Sequence, residues 1–119
     1  MSDHPIAHIE FSANDPEETG KFYNELFDWK LESMPQMDYV TFETEPGRGG
    51  GFPRVDNETI KPGDVIVYVQ TDDIQASLAK VEMLGGKTLQ PKTEIPEIGW
   101  FAFFSDPTEN RVALFTPKR

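Results

Sequence analysis

Cysteine is absent from the 119 residues, which excludes disulfides and thiolate metal sites. Long apolar runs are also missing: nothing approaches the ~20 consecutive apolar residues of a membrane-spanning helix. Basic residues are scarce, 11 against 21 acids, and the formal charge of −10 repels phosphate backbones and anionic lipid alike. Nucleic acid and membrane surfaces are therefore not expected as partners. The opening residues, Met1-Ser2-Asp3-His4-Pro5, hold neither a basic region nor an apolar run, so a cytoplasmic location is expected. Gly49-Gly50-Gly51 lacks the spacing of a phosphate-binding loop and the Lys-Ser/Thr pair that closes one.

What is present suffices for a packed interior. Hydrophobic residues make up 37% and aromatics 12%, nine of them Phe, enough to offset ten prolines and to fill the core of one domain of this size. The stretch from His8 to Trp29 organises the rest. His8-Ile9-Glu10-Phe11-Ser12 alternates polar and apolar with the period of a half-buried strand. His8, Glu10 and Ser12 share one face; Ala7, Ile9 and Phe11 share the other. Asn14-Asp15-Pro16-Glu17-Glu18 then supplies a cap, a first-turn proline and two acids at the positive end of a helix dipole. Thr19, Phe22, Tyr23, Leu26 and Phe27 recur at helical spacing and offer an apolar stripe.

The pattern returns 58 residues later, with Ile9, Phe11, Asp15 and Leu26 falling on Val67, Val69, Asp73 and Leu84. Further downstream an offset near 61 carries Tyr39-Val40-Thr41-Phe42 onto Trp100-Phe101-Ala102-Phe103. An internal repeat implies one domain, residues 1–119, built from two modules, about 5–57 and 62–117, in a pseudo-twofold arrangement. The polar segment Asp56–Gly63 joins them. Within each module the order reads βαβββ: short strands at Lys30–Ser33, Tyr39–Thr44 and Gly49–Arg54 in the first, and at Lys87–Gln90, Trp100–Ser105 and Arg111–Thr116 in the second. Thr93–Gly99 reads as a proline-broken loop, and Gly85-Gly86 stops the second helix. Strands in succession after each helix imply antiparallel pairing within each half, an α+β fold.

The repeat, with His8-Ile9-Glu10-Phe11, Asp15-Pro16, Phe22-Tyr23, Asp72-Asp73-Ile74, Gly85-Gly86, Gly99-Trp100-Phe101-Ala102 and Asp106-Pro107-x-x-Asn110-Arg111, resembles the glyoxalase/bleomycin-resistance/extradiol dioxygenase group. This is the vicinal oxygen chelate superfamily. Gly49–Pro53, Thr93–Pro96 and Gly99–Phe101 are similar to its branch of proteins related to lactoylglutathione lyase. The resemblance implies two βαβββ modules forming a curved sheet around a cleft, commonly completed as a homodimer.

Relatives that use a metal take one ligand from the first strand and one from the last strand of each module. The matching positions here are His8, its repeat partner Ile66, Ala113 and a position near Phe52. Only His8 carries a ligating group, so the resemblance implies no tightly held metal cofactor, because a divalent ion needs three or more protein ligands. Glu10 or Glu43 would have to replace the missing ones.

With the apolar face of the first strand against its helix, the opposite faces line the cleft. His8 and Glu10 are the candidate general acid/base pair, since histidine titrates near neutrality and a neighbouring carboxylate tunes it. Phe52, Tyr68, Gln70, Trp100, Phe104 and Arg111 are the candidate ligand-binding residues, an apolar and aromatic lining with a few polar groups. Three functions stay open: metal-independent lyase or isomerase chemistry on a small carbonyl compound, binding of a small molecule as in bleomycin-resistance proteins, and an interaction module. The named alternative is a metal-dependent lactoylglutathione lyase or dioxygenase-type enzyme.

Overall fold

A computed structural model of the protein describes residues 4–118. The elements follow in the order β1 (Ile6–Phe11), α1 (Pro16–Phe27), β2 (Lys30–Met34), a 3-10 turn (Pro35–Met37), β3 (Tyr39–Glu45), β4 (Arg48–Pro53), β5 (Val65–Gln70), α2 (Ile74–Met83), β6 (Lys87–Ile95), β7 (Gly99–Ser105) and β8 (Arg111–Pro117). Helices and strands segregate as an α+β fold, and βαβββ occurs twice. The described residues divide into two compact units, His8–Val65 on one hand and residues 66–118 together with 4–7 on the other. Among the described residues no helix is long and apolar enough to cross a membrane.

In the first unit the strands lie in the order β2-β3-β4-β1, and in the second β5-β8-β7-β6. β2, β3 and β4 pair antiparallel. β1, however, closes on β4 in parallel, with Glu10 opposite Gly51. β5 closes on β8 the same way, with Tyr68 opposite Ala113. Those parallel pairs depart from the all-antiparallel expectation, and the helix and two strands between the partners supply the crossover that a parallel pair requires.

Both helices start where the sequence places a cap. The Asp15 carboxylate accepts the backbone N–H of Glu17 and Glu18, and Asp73 accepts that of Ala76, satisfying donors that a first turn leaves orphaned. α1 packs through an aromatic stack: Tyr23 lies 5.3 Å from Phe11, 5.3 Å from Trp29 and 5.5 Å from Phe52, centroid to centroid. Phe42 and Val40 complete this core. Gly20 lets the helix close on the sheet, because a Cβ there would sit 3.2 Å from Leu31 and Val40. The stripe read from the sequence is wider than the face that is buried: Phe22, Leu26 and Phe27 are all exposed.

α2 packs with aliphatic residues, Ile74 and Leu78 meeting Ala102 and Leu114, flanked by Val69, Trp100 and Phe104. β6 also differs from expectation, running to Ile95 where a loop from Thr93 was expected. Its pairing with β7 shifts register on both sides of Gln90. Pro91 has no N–H to give a ladder, and an end strand with bulges accommodates it.

Candidate functional site

On the first unit's sheet, the face turned away from α1 holds the polar residues. Alternation along β1 sends Phe11 towards the helix core and His8 and Glu10 to this far face. Glu10 is buried, at 7% exposure, whereas the His8 side chain keeps 31%. Two strands away, β3 begins immediately after Asp38, whose backbone is left-handed at φ 50°. Arg54 holds that turn, donating to both Asp38 carboxylate oxygens and to the Asn14 carbonyl, and its guanidinium keeps the Asp38 carboxyl below the usual range.

From there the Tyr39 ring reaches back over Gly51 of β4. Its hydroxyl donates to Glu10 Oε2 at 2.8 Å and lies 2.8 Å from His8 Nε2. His8 Nε2 and Glu10 Oε2 are 3.9 Å apart, so the phenol bridges two groups that do not bond each other directly. A phenol has one proton to give. With that proton on the Glu10 side, the Nε2–H of His8 donates to the phenol oxygen, and the lone pair of the neutral imidazole is at Nδ1. Burial pushes the His8 pKa below its ordinary 6.5, because the charged ring loses solvation. A pKa lowered from 6.5 leaves the ring mostly neutral at pH 7.

The remaining expected residues divide. Phe52 does not line this face: it is fully buried, stacked on Tyr23 and Phe11 and tilted against Phe42 beneath α1. Trp100 and Phe104 are likewise on the helix side, against the Ile74 and Leu78 cluster. Lys92 and Lys118 each place an ammonium 5.2 Å from the Trp100 ring. The far face of the second unit carries Ile66, Tyr68, Phe103 and Ala113, with Phe101 and Phe115 packed beside them; alternation adds Gln70 on β5 and Arg111 on β8.

The correction has one cause. Thr41 pairs with Gly51 as Phe103 pairs with Ala113, so the downstream repeat runs at an offset of 62, not 61. A one-residue slip turns every side chain of a strand to the other face. The same register makes Gly51, not Phe52, the counterpart of Ala113. Tyr39, Phe101 and Phe103 are the site residues that sequence reasoning passed over, and the even offset is the signal that finds them.

The donor set does not fit a divalent ion. Among the described residues no group of three His, Asp or Glu side chains is gathered to hold one. Tyr39 already occupies the point between His8 and Glu10. Glu43 is exposed, and its carboxylate accepts the Gly47 N–H at the hairpin turn; the second unit offers Ile66 and Ala113 at its corresponding positions.

This scaffold, a βαβββ unit twice over with a first-strand histidine, is that of the vicinal oxygen chelate superfamily. A family described as glyoxalase-like domain matches residues 8–115, and the chain belongs to that family. A glyoxylase-like domain-containing protein of Didymella fabae is 32% identical over 121 residues, spanning 93% of this chain and 92% of the relative. CFP32 of Mycobacterium bovis, which carries the name glyoxylase, is 26% identical over 126 residues; the match spans 93% of this chain but 45% of that longer protein. Among solved structures, a glyoxalase/bleomycin resistance protein/dioxygenase superfamily member from Vibrio splendidus superposes with a TM-score of 0.67 at 12% identity, covering 92% of this chain and 96% of that one. Identity that low speaks to the fold alone.

Proposed function

We propose that the protein binds a small carbonyl compound and moves a proton on it without a metal, with His8 as the base and Glu10 and Tyr39 as its relay. The observation that carries this reading is the Tyr39 hydroxyl 2.8 Å from both His8 Nε2 and Glu10 Oε2. A histidine kept neutral by burial is ready to accept a proton at neutral pH. On an α-hydroxy carbonyl compound, taking one from the hydroxyl-bearing carbon leaves an enediolate and an imidazolium. The imidazolium is stabilised through Tyr39 by the Glu10 carboxylate, as a buried acid stabilises the histidine of a catalytic triad. Returning the proton to the former carbonyl carbon, with the hydroxyl proton passing from one oxygen to the other, completes an isomerisation, and no oxidant or co-reactant is consumed.

The test is deuterium exchange in D2O, followed by NMR, with dihydroxyacetone as the probe and EDTA present, alongside elemental analysis of the purified protein. Exchange that EDTA leaves intact and His8→Ala abolishes supports the reading. Stoichiometric metal with chelator-sensitive turnover of the glutathione–methylglyoxal adduct would replace it with the metal-dependent lyase alternative.

A second reading, sequestration of an apolar or aromatic molecule, is favoured by the far face of the second unit, where Tyr68, Phe101, Phe103 and Phe115 gather. Saturable binding of an aromatic probe with no exchange would select it. A homodimer in the cytoplasm is proposed from the resemblance and the cysteine-free acidic composition; sedimentation and cell fractionation test the two separately.

A further inference from the structure

The three glycines of β4 are not required for the same reason. A Cβ on Gly49 would overlap the carbonyl oxygen of Phe42, and one on Gly50 that of Ile9. Both conflicts are with backbone that the ladder fixes. A Cβ on Gly51 meets something else: the hydroxyl and ring of Tyr39, the far end of a side chain able to swing away. The second unit shows what the lane looks like when it is filled. Ala113 stands where Gly51 does, opposite Tyr68 instead of Glu10. The ring corresponding to Tyr39 is Phe101, which packs edge-on against Phe103 on its own strand, 5.6 Å away at 77°.

We propose that Gly51 is the positioning residue of the His8–Tyr39–Glu10 relay: the missing side chain at 51 is the space through which the phenol reaches the first strand. The size of residue 51 then decides whether this face carries a three-membered relay or an unbridged His–Glu pair. The proposal rests on the proposed function only for the importance of the relay; the placement of Tyr39 is tested without any substrate. The titratable groups on this face are Glu10 on β1, Tyr39 and Glu43 on β3, and Lys30 and Glu32 on β2, which pair with Glu43 and Thr41. β4 adds only Gly49, Gly51 and Pro53.

The experiment compares the wild-type chain with Gly51→Ala, Tyr39→Ala and the double variant, reading the His8 imidazole titration by NMR and the thermal midpoint. Gly51→Ala is expected to move the His8 midpoint by roughly half to one pH unit, the scale of one hydrogen bond's preference between protonation states. In the Tyr39→Ala background the same substitution is expected to leave the His8 midpoint in place and to leave the melting temperature level or raised, since alanine loses less backbone freedom on folding than glycine. An unchanged His8 titration in Gly51→Ala, or equal shifts with and without Tyr39, overturns the proposal. If Gly51→Ala alone does not fold, a folded double variant supports it; an unfolded double variant overturns it, since the conflict then lies with backbone. The deuterium-exchange assay fails separately: a relay correctly placed but inactive leaves these coupled shifts intact.

Discussion

Where the first module carries His8 and Glu10, the second carries Ile66 and Tyr68; where the first has Tyr39 over Gly51, the second has Phe101 beside Ala113. The helix-facing sides of the two sheets are both apolar, an aromatic stack under α1 and an aliphatic cluster under α2. The far faces are not alike. One gathers a neutral imidazole, a phenol and a buried acid, the other a patch of phenylalanines and a tyrosine. Duplication of a βαβββ unit thus fixes the side that holds each sheet to its helix and frees the other side to diverge. The polar cluster lies on one copy and an apolar cluster on the other.

The largest expected effect tests whether the two cores bear equal weight. Phe52→Ala is expected to cost about 3–5 kcal/mol and Ile74→Ala about 2–5 kcal/mol, each read from urea unfolding; a cost at Phe52 near that of an exposed residue would return it to the far face. Next comes Tyr39→Phe, which takes a donor from the buried Glu10 and is expected to cost about 1–3 kcal/mol. Removing the Phe101 ring edge is not expected to perturb any titration, so a His8 shift in Phe101→Leu would break the division between polar and apolar copies.

Smaller still is the cap comparison. Asp15 accepts two backbone N–H groups and Asp73 one, so Asp15→Ala is expected to cost more than Asp73→Ala, both within about 0.5–2 kcal/mol. The smallest effect is in pH. Because burial lowers the His8 pKa, the unfolded chain takes up its proton at higher pH than the folded one. Stability is then lost as pH falls from 6.5 towards the folded value and is steady below it. His8→Gln is expected to flatten that segment of the urea midpoint against pH, and no counterpart exists at Ile66.

The first strand and helix were readable because local rules determine them: strict alternation over His8–Ser12, then a capping aspartate and a proline at the first turn. β7 was found as a strand but its face was not, since Trp100-Phe101-Ala102-Phe103-Phe104 is apolar at every position and contains no period to assign a face. The repeat should have supplied the face, but the longer, bulged β6 lies between the second helix and β7, and the offset grows from 58 before it to 62 after it. The parallel closure of β1 on β4 is a pairing between segments some forty residues apart, which no local pattern announces. Tyr39 was visible as a strand residue on the right face, yet its reach to His8 depends on an absence, the missing side chain at Gly51.

That run of glycines also bears on how the module opens. Glycine gives up more backbone freedom than any other residue on folding and brings no side chain to hold it in place. β4 is therefore held by its neighbours, β3 and β1, rather than by any preference of its own. In native-state hydrogen exchange the amides of Gly49–Gly51 should exchange together with the strands beside them and never later. Loosening this strand and dismantling the His8–Tyr39–Glu10 bridge are then a single event, because the strand with the least backbone preference of its own lies directly under the Tyr39 phenol.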